Sequence, residues 1–210
     1  MDGAHAHSGG LGQARAPWDP LGPGLTGCLA LVPRSARWLV PALLLALGGG
    51  ERSRIDPRAR TLALLRVACV ERSPYWRVRL ERTADSLGIG PEEVEVVESD
   101  DWELTPALEP RERAAVLWAD RVARRLARRD RRAHDEVRRW FDDEGFVELT
   151  LAASLTVMAC RLANALRLED SSEASGFPSP VPTELLRSWS GQMFDGSLFS
   201  RAAHPRSGSP

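Results

Sequence analysis

Cysteine and histidine are the side chains in this chain most able to do covalent or proton-transfer chemistry. The cysteines are Cys28, Cys69 and Cys160, and His134 is the only histidine outside the two ends of the chain. Cys69 lies in an apolar stretch, where a thiol keeps its proton and is usually inert. His134 lies among Arg and Asp residues without a nearby nucleophile, which predicts a surface side chain.

Two arginines stand in apolar runs, where a positive charge needs a partner. Arg66 lies within Leu-Ala-Leu-Leu-Arg-Val-Ala-Cys, and Arg161 directly follows a long apolar run. Buried guanidinium groups are usually satisfied structurally, so we expect each to bind a helix C-terminus or a carboxylate. The candidate carboxylates are Glu71, Glu81 and Glu148. The alternative is that Arg66 and Arg161, with Tyr75, hold a small anionic ligand in a pocket at a helix junction.

Two helices that meet at Pro74 must position Cys69 and its neighbours. Asp56 followed by Pro57 is typical of a helix start, and apolar residues recur after it at helical spacing. Pro74 forces a boundary, because a proline disfavours the α-helical conformation in the residue before it. The second helix is predicted to end at Gly88, since glycine is common just after a helix.

Further helices are predicted on both sides of this pair. Residues 38–47 are apolar but far fewer than the roughly 20 that cross a bilayer, which predicts a buried or subunit-contact helix. The apolar run within residues 143–167 is also too short for a membrane span and predicts the central buried helix. Two more helices are predicted at residues 91–97 and 110–127.

The two ends of the chain differ in composition from its centre. Residues 1–34 are predicted to be a disordered arm, because Gly, Pro, Ala and His dominate its start without periodicity. Residues 169–210 are rich in Ser, Pro and Gly and are predicted to be a flexible tail with one short helix at 182–189. Residues 35–168 are predicted to form one domain, since a chain of 210 residues that is 43% hydrophobic can bury one sizeable core.

Charge and composition argue against several classes of partner. The net charge is −1 and the pI is about 6.4, so neither nucleic acid nor a membrane surface is an expected partner. The arginine-rich residues 124–132 suggest a nucleic-acid module, but acidic residues are interspersed and aromatic residues are lacking, which favours a solvated face. His5 and His7 are too few ligands for a good metal site, and we predict neither a metal nor a cofactor. An odd, widely spaced set of cysteines fits a reducing cytoplasm.

Several short stretches follow one another in a familiar order: residues 64–68, 75–76, Ala84, 87–94, 111–114, 146–150 and 161–166. They resemble the core of the carboxymuconolactone decarboxylase and alkylhydroperoxidase D superfamily, in which a Leu-, Arg- and Val-rich helix leads into Cys-x-x-Cys-x-x-x-His. The resemblance covers roughly residues 35–168 and implies an all-α domain of about six helices. It also implies a homo-oligomer, either a trimer or a hexamer, and a peroxiredoxin or alkylhydroperoxidase type of antioxidant activity.

The positions of the family's reactive residues carry other side chains here. Laid on the family motif, the two cysteine positions are Ser73 and Trp76, the histidine position is Leu80, and the relay glutamate position is Thr61. Serine without a nearby base is a poor nucleophile, and Trp and Leu cannot relay protons. The resemblance therefore implies a member that has lost thiol peroxidase catalysis and acts as a small-molecule-binding or scaffold protein.

An enzyme with altered chemistry is the alternative. One version is the single-cysteine peroxidase through Cys69. The other is a lactone decarboxylase-like enzyme, for which Tyr75, Arg66 and Glu71 could supply polar groups.

Overall fold

A computed structural model describes residues 21–48, 53–104 and 106–168. Over these residues the chain forms eight α-helices and one 3-10 turn, and no β-strand occurs in these ranges. The elements are α1 (Gly22–Ala30), α2 (Pro33–Gly48), α3 (Pro57–Val70), α4 (Pro74–Ser86), α5 (Pro91–Glu98), the 3-10 turn (Trp102–Leu104), α6 (Pro110–Ala123), α7 (Arg131–Trp140) and α8 (Asp143–Ala165). The predicted all-α class is confirmed.

Local chemistry explains where α3 and α4 begin and end. The Asp56 side chain accepts hydrogen bonds from the backbone N–H groups of Arg58 and Ala59, at 2.9 and 3.3 Å, and caps the start of α3. Proline occupies the first turn of both helices, where its missing N–H costs nothing. Gly88 follows α4 with a φ of 71°, a conformation that favours glycine. The predicted boundaries of this pair are confirmed.

Helix α3 is the centre of the fold, because every residue from Ala59 to Ala68 is buried. It packs against α4, α6 and α8. Two ion pairs join α3 to α6. Arg58 pairs with Glu112 near the start of both helices, and Arg66 pairs with Asp120 further along both. The two helices therefore run in the same direction.

Helix α8 also runs parallel to α3. Arg60 near the start of α3 pairs with Glu148, and Glu71 just after α3 pairs with Arg161. The carboxyl ends of α3, α6 and α8 therefore lie at the same end of the molecule.

The first helix corrects the expectation of a disordered arm through residue 34. Leu21, Leu25 and Leu29 are buried, and α1 and the start of α2 lie in this stretch. The spacing of four residues between these leucines is helical, but the surrounding Gly and Pro conceal it. Residues 1–20 and 169–210, with His5, His7 and the short helix predicted at 182–189, lie outside the described ranges. The division into three regions stays a prediction.

Helix α7 is the second helix that the sequence did not predict, which makes eight where about six were expected. Asp130 caps it by accepting a hydrogen bond from the backbone N–H of Ala133 at 2.9 Å. Only Ala133 and Val137 are buried on this short, arginine-rich helix, so its apolar signal is weak. The preceding helix, α6, ends at Ala123 rather than 127, because Arg125 takes a left-handed φ of 62°.

Helix α8 is longer than the apolar run suggested. Its 23 residues have a mean hydropathy of 1.5 over the most apolar window, so its length and composition would allow it to cross a membrane. The expectation that it is too short is therefore wrong. In the structure one side of α8 packs against α2, α3 and α6, and Val147, Leu151 and Met158 on its other side are exposed. The predicted central buried helix is therefore α3 and not α8.

Candidate functional site

A cleft of about 480 Å³ opens where the end of α3 meets the start of α4. The end of α5 closes one side of it through Glu98. Its polar lining consists of Cys69, Arg72, Ser73, Arg77, Glu81 and Glu98, and its apolar lining of Ala68, Pro74 and Val78. A volume of this size suits a small molecule.

A carboxylate pair held by one arginine forms the charged wall of the cleft. The Arg77 Nε donates to Glu81 Oε1 and Glu98 Oε1, each at 2.7 Å, and its Nη2 donates to Glu98 Oε2 at 2.9 Å. Burial and a hydrogen bond with Glu81 raise the pKa of Glu98 above the usual value for a glutamate, although Arg77 opposes this shift. Glu98 is therefore the group on this wall that holds a proton more tightly than usual.

Cys69 is the thiol that lines the cleft, and its environment keeps it protonated. Burial, followed by the negative charge of Glu98, raises the pKa of Cys69 to about 11. Nucleophilic attack requires the thiolate, so this thiol is unreactive near neutral pH. Cys160 on α8 is fully buried, and burial raises its pKa to about 12.

The four positions that the sequence resemblance assigns to the family's reactive residues are all buried. The side chains of Thr61, Ser73, Trp76 and Leu80 are between 1 and 4% exposed. Trp76 and Leu80 belong to the main apolar cluster, together with leucines of α1, α2 and α3.

Tyr75 has a structural role under α1. Its hydroxyl accepts a hydrogen bond from the Leu25 N–H at 3.2 Å and donates one to the Leu21 carbonyl oxygen. The guanidinium of Arg79 lies over the tyrosine ring, 4.6 Å from its centre. These contacts hold α1 to α4.

Arg66 is satisfied inside the protein, as its apolar surroundings predicted. Its Nε donates to Asp120 Oδ1 at 2.8 Å, and its Nη1 donates to the carbonyl oxygens of Val97 and Ser99 at 3.0 and 2.8 Å. The two carbonyls lie at the end of α5, so the expected contact with a helix C-terminus is confirmed. Burial alone would raise the pKa of Asp120, but hydrogen bonds from Arg66 and Arg124 outweigh it and lower this pKa.

Arg161 is exposed and binds Glu71, one of the predicted partners, through Nε at 2.9 Å and Nη2 at 2.8 Å. Neither Arg161 nor Arg66 nor Tyr75 lines the cleft. The expectation that these three side chains share one ligand pocket is corrected, since each is held by a different structural partner.

The sequence did not point to Arg77 or Glu98, and it named Glu81 only as a possible partner of Arg66 or Arg161. In the structure Glu81 pairs instead with Arg77, four residues before it on α4, a spacing typical of a helical ion pair. Glu98 joins them only through the tertiary fold.

His134 is exposed, as predicted, and the ring of Phe146 lies 5.4 Å from it. Within the described ranges, no three His, Cys, Asp or Glu side chains are arranged to hold a metal ion.

This arrangement of helices is the all-α fold of alkylhydroperoxidase D-like proteins, and comparison with solved structures supports that assignment. A protein of unknown function from Agrobacterium tumefaciens, described as a candidate antioxidant defence protein AhpD, matches with a TM-score of 0.62 and 18% identity, over 70% of this chain and 97% of that one. An uncharacterized peroxidase-related protein from Silicibacter sp. TM1040 matches with a TM-score of 0.63 and 17% identity, over 74% of this chain and 80% of that one. No family model and no curated protein matches the chain. At such low identity the likeness shows the fold alone.

Proposed function

We propose that this protein is a member of the alkylhydroperoxidase D-like group that binds a small molecule in the cleft and no longer reduces peroxides through a thiol. The burial of Thr61, Ser73, Trp76 and Leu80, each at most 4% exposed, carries this proposal. None of these side chains can form a disulfide, and Trp and Leu cannot relay a proton to a ligand.

The lining of the cleft indicates the chemistry of its ligand. Arg72 is exposed, and it has no carboxylate partner in the part of the chain that the structure describes. Arg77 is already neutralised by Glu81 and Glu98. A small molecule with one carboxylate would bind Arg72, because a planar guanidinium matches a carboxylate with two parallel hydrogen bonds.

The experiment is a thermal-shift screen of the full chain against small carboxylic acids. A ligand that occupies the cleft raises the melting temperature. Val78→Trp, which fills the cleft, abolishes this shift, whereas Arg139→Trp on the exposed face of α7 leaves it unchanged. A thermal shift that survives in Val78→Trp places the ligand elsewhere and removes the proposal.

A peroxidase that acts through Cys69 is the second candidate. Cys69 is the thiol that lines the cleft, which favours it over Cys28 and Cys160 as a reactive group. In this reaction the thiolate attacks the terminal oxygen of a hydroperoxide, forming a sulfenic acid and releasing an alcohol or water. The raised pKa of Cys69 opposes this step.

We also propose that the protein forms a homo-oligomer in the cytoplasm. An apolar stripe on α8 is exposed at Val147, Leu151 and Met158, and α2, which packs against α8, exposes Trp38 and Leu45. Contiguous exposed apolar side chains on adjacent helices are typical of a subunit contact. A trimer or a hexamer is expected by analogy with the family.

A further inference from the structure

An arginine-rich turn connects α6 to α7, and its charge is not compensated. Residues 124–132 contain six arginines and a single acidic residue, Asp130. Five of the arginines are exposed and form no salt bridge with any described residue. We call these five residues the arginine turn: Arg125, Arg128, Arg129, Arg131 and Arg132. Unpaired positive charge at this density is unusual in a chain whose net charge is −1.

The carboxylates beside the arginine turn are already engaged by other side chains. Asp130 accepts from Arg121 Nε at 2.7 Å and caps α7 through its other oxygen. Asp120 is bound by Arg66 and Arg124, and Asp100 accepts from Arg124 at 3.2 Å. Asp100, Asp120 and Asp130 therefore form their salt bridges with arginines outside the arginine turn.

Backbone hydrogen bonds fix the shape of the turn. The Leu126 N–H donates to the Arg121 carbonyl oxygen at 2.7 Å, and the Arg129 N–H donates to the Leu126 carbonyl oxygen at 2.8 Å. The folded turn forms an open surface depression of about 800 Å³, which is lined by Arg124, Arg125, Leu126, Arg128 and Arg129. Several guanidinium groups thus surround one space on a preformed backbone.

We propose that the arginine turn binds a compact ligand with two or more phosphate groups, either an inorganic oligophosphate or the phosphate chain of a nucleotide. A guanidinium group donates two parallel hydrogen bonds to a phosphate, and several of them match several adjacent phosphates. This site is separate from the cleft, so the proposal does not rest on the function proposed above.

Shape and composition favour a compact anion over a larger polyanion. The depression is formed by one tight turn, whereas a nucleic-acid duplex needs a basic surface that follows its backbone over many residues. Single-stranded nucleic acid is bound largely by stacking on aromatic side chains, and residues 121–132 contain none. Leu126 is the only exposed large apolar residue there, which is too little to insert into a membrane.

Isothermal titration of the full chain tests this proposal, with inorganic tripolyphosphate, ATP and a duplex DNA of about 20 base pairs as probes. The test variant is Arg128→Glu/Arg129→Glu. The control of matched net charge is Arg37→Glu/Arg139→Glu, since both residues are exposed and lie outside the arginine turn. Circular dichroism checks that both variants are folded.

We expect tripolyphosphate to bind, its affinity to fall several-fold between about 50 and 200 mM NaCl, and the test variant to lose at least about tenfold in affinity. The control is expected to stay within about twofold of the native protein. Equal binding of tripolyphosphate and ATP identifies the phosphate chain as the recognised group, and tighter binding of ATP identifies a nucleotide.

Three results would overturn the proposal. They are no binding of tripolyphosphate or ATP at low salt, equal weakening in the control variant, and tighter binding of the duplex than of either small probe.

Discussion

Arg66 and Cys69 are three residues apart on α3, yet their surroundings act on the two groups in opposite ways. The Arg66 guanidinium donates to Asp120 and to two carbonyl oxygens, so its hydrogen bonds are satisfied although the residue is only 2% exposed. At Cys69, burial together with the negative charge of Glu98 disfavours the thiolate and raises the pKa. The chemistry of each residue is therefore set by its partners rather than by its position in the sequence.

Replacing the two arginines separately tests which of them is structural. Arg66→Met leaves Asp120 buried without one of its main donors and is expected to cost about 2–4 kcal/mol of unfolding free energy. Arg161→Met removes an exposed ion pair and is expected to cost less than about 1 kcal/mol. Urea denaturation of each variant measures the difference, and equal costs would contradict the assigned roles.

The raised pKa of Glu98 predicts how stability changes with pH. The folded state binds the Glu98 proton more tightly than the unfolded state, so protonation of Glu98 adds to the free energy of unfolding. This contribution is fully present below the normal glutamate pKa of 4.5. It is lost as pH rises through the folded pKa. In Glu98→Gln, which cannot ionise, we expect the stability to fall less over that range than in the native protein.

The measurement is the unfolding free energy of both proteins at several pH values above 4.5, and Glu95→Gln on the solvent side of α5 is the control. Identical pH profiles for the native protein and Glu98→Gln would show that Glu98 titrates normally.

At the scale of the elements, three helices end in the same unusual way. Arg72, Arg125 and Arg167 follow α3, α6 and α8 with φ values of 51°, 62° and 52°. Residues with a Cβ rarely adopt this left-handed conformation, and glycine is the usual choice after a helix. Each arginine therefore strains the turn that it forms.

Arg167→Gly tests this strain at an exposed position. Glycine adopts the left-handed conformation freely, so the substitution is expected to stabilise the protein by about 0.5–1 kcal/mol. Glu95→Gly, at an exposed position in the middle of α5, is the control and is expected to destabilise the protein by about 0.5 kcal/mol. A destabilising Arg167→Gly, measured by thermal or urea unfolding, would mean that the arginine side chain makes a contribution larger than the strain.

The elements also show how far the sequence predicts this structure. Asp56, Pro57 and Pro74 act on their immediate neighbours, so the limits of α3 and α4 follow from local chemistry alone. The sequence pattern did not predict helices α1 and α7, because each buries only a few apolar residues within a polar or glycine-rich stretch. Their stability comes from tertiary contacts, such as the hydrogen bonds of Tyr75 with the backbone of α1.

The candidate site was less predictable than the helices. Cys69, Ser73 and Pro74 are close together in the sequence, so their proximity in the cleft could be predicted. Glu98 reaches the cleft from α5, and Asp120 reaches Arg66 from α6, 54 residues along the chain. Such pairings depend on how helices pack, which no local pattern specifies.

For the whole molecule, the comparisons show the fold and not the activity. Below 20% identity, the two solved structures still match this chain with TM-scores above 0.6. A fold needs a pattern of buried apolar residues, which many sequences satisfy, whereas a redox site needs particular side chains. The likeness therefore supports the architecture and leaves the activity to be tested.

The proposed subunit contact makes a prediction about the size of the particle. Leu151 is 57% exposed on α8, and a carboxylate there would be buried in the contact. Leu151→Asp is expected to dissociate the oligomer, because an unpaired buried charge costs several kcal/mol. Light scattering after size-exclusion chromatography measures the mass, with Arg139→Asp on α7 as the control. A native protein that is monomeric, or an unchanged mass in Leu151→Asp, would contradict the proposed contact.

Hydroperoxide consumption by the fully reduced protein is the most direct test of the central claim, that thiol peroxidase chemistry has been lost. The assay uses hydrogen peroxide and an organic hydroperoxide, with intact-mass analysis of Cys69 and the Cys69→Ser variant as the control. We predict equal, background rates for the native protein and the variant, and no oxygen adduct on Cys69, because its pKa of about 11 leaves almost no thiolate at neutral pH. Consumption that disappears in Cys69→Ser, with a sulfenic acid on Cys69, would contradict the account and establish a single-cysteine peroxidase.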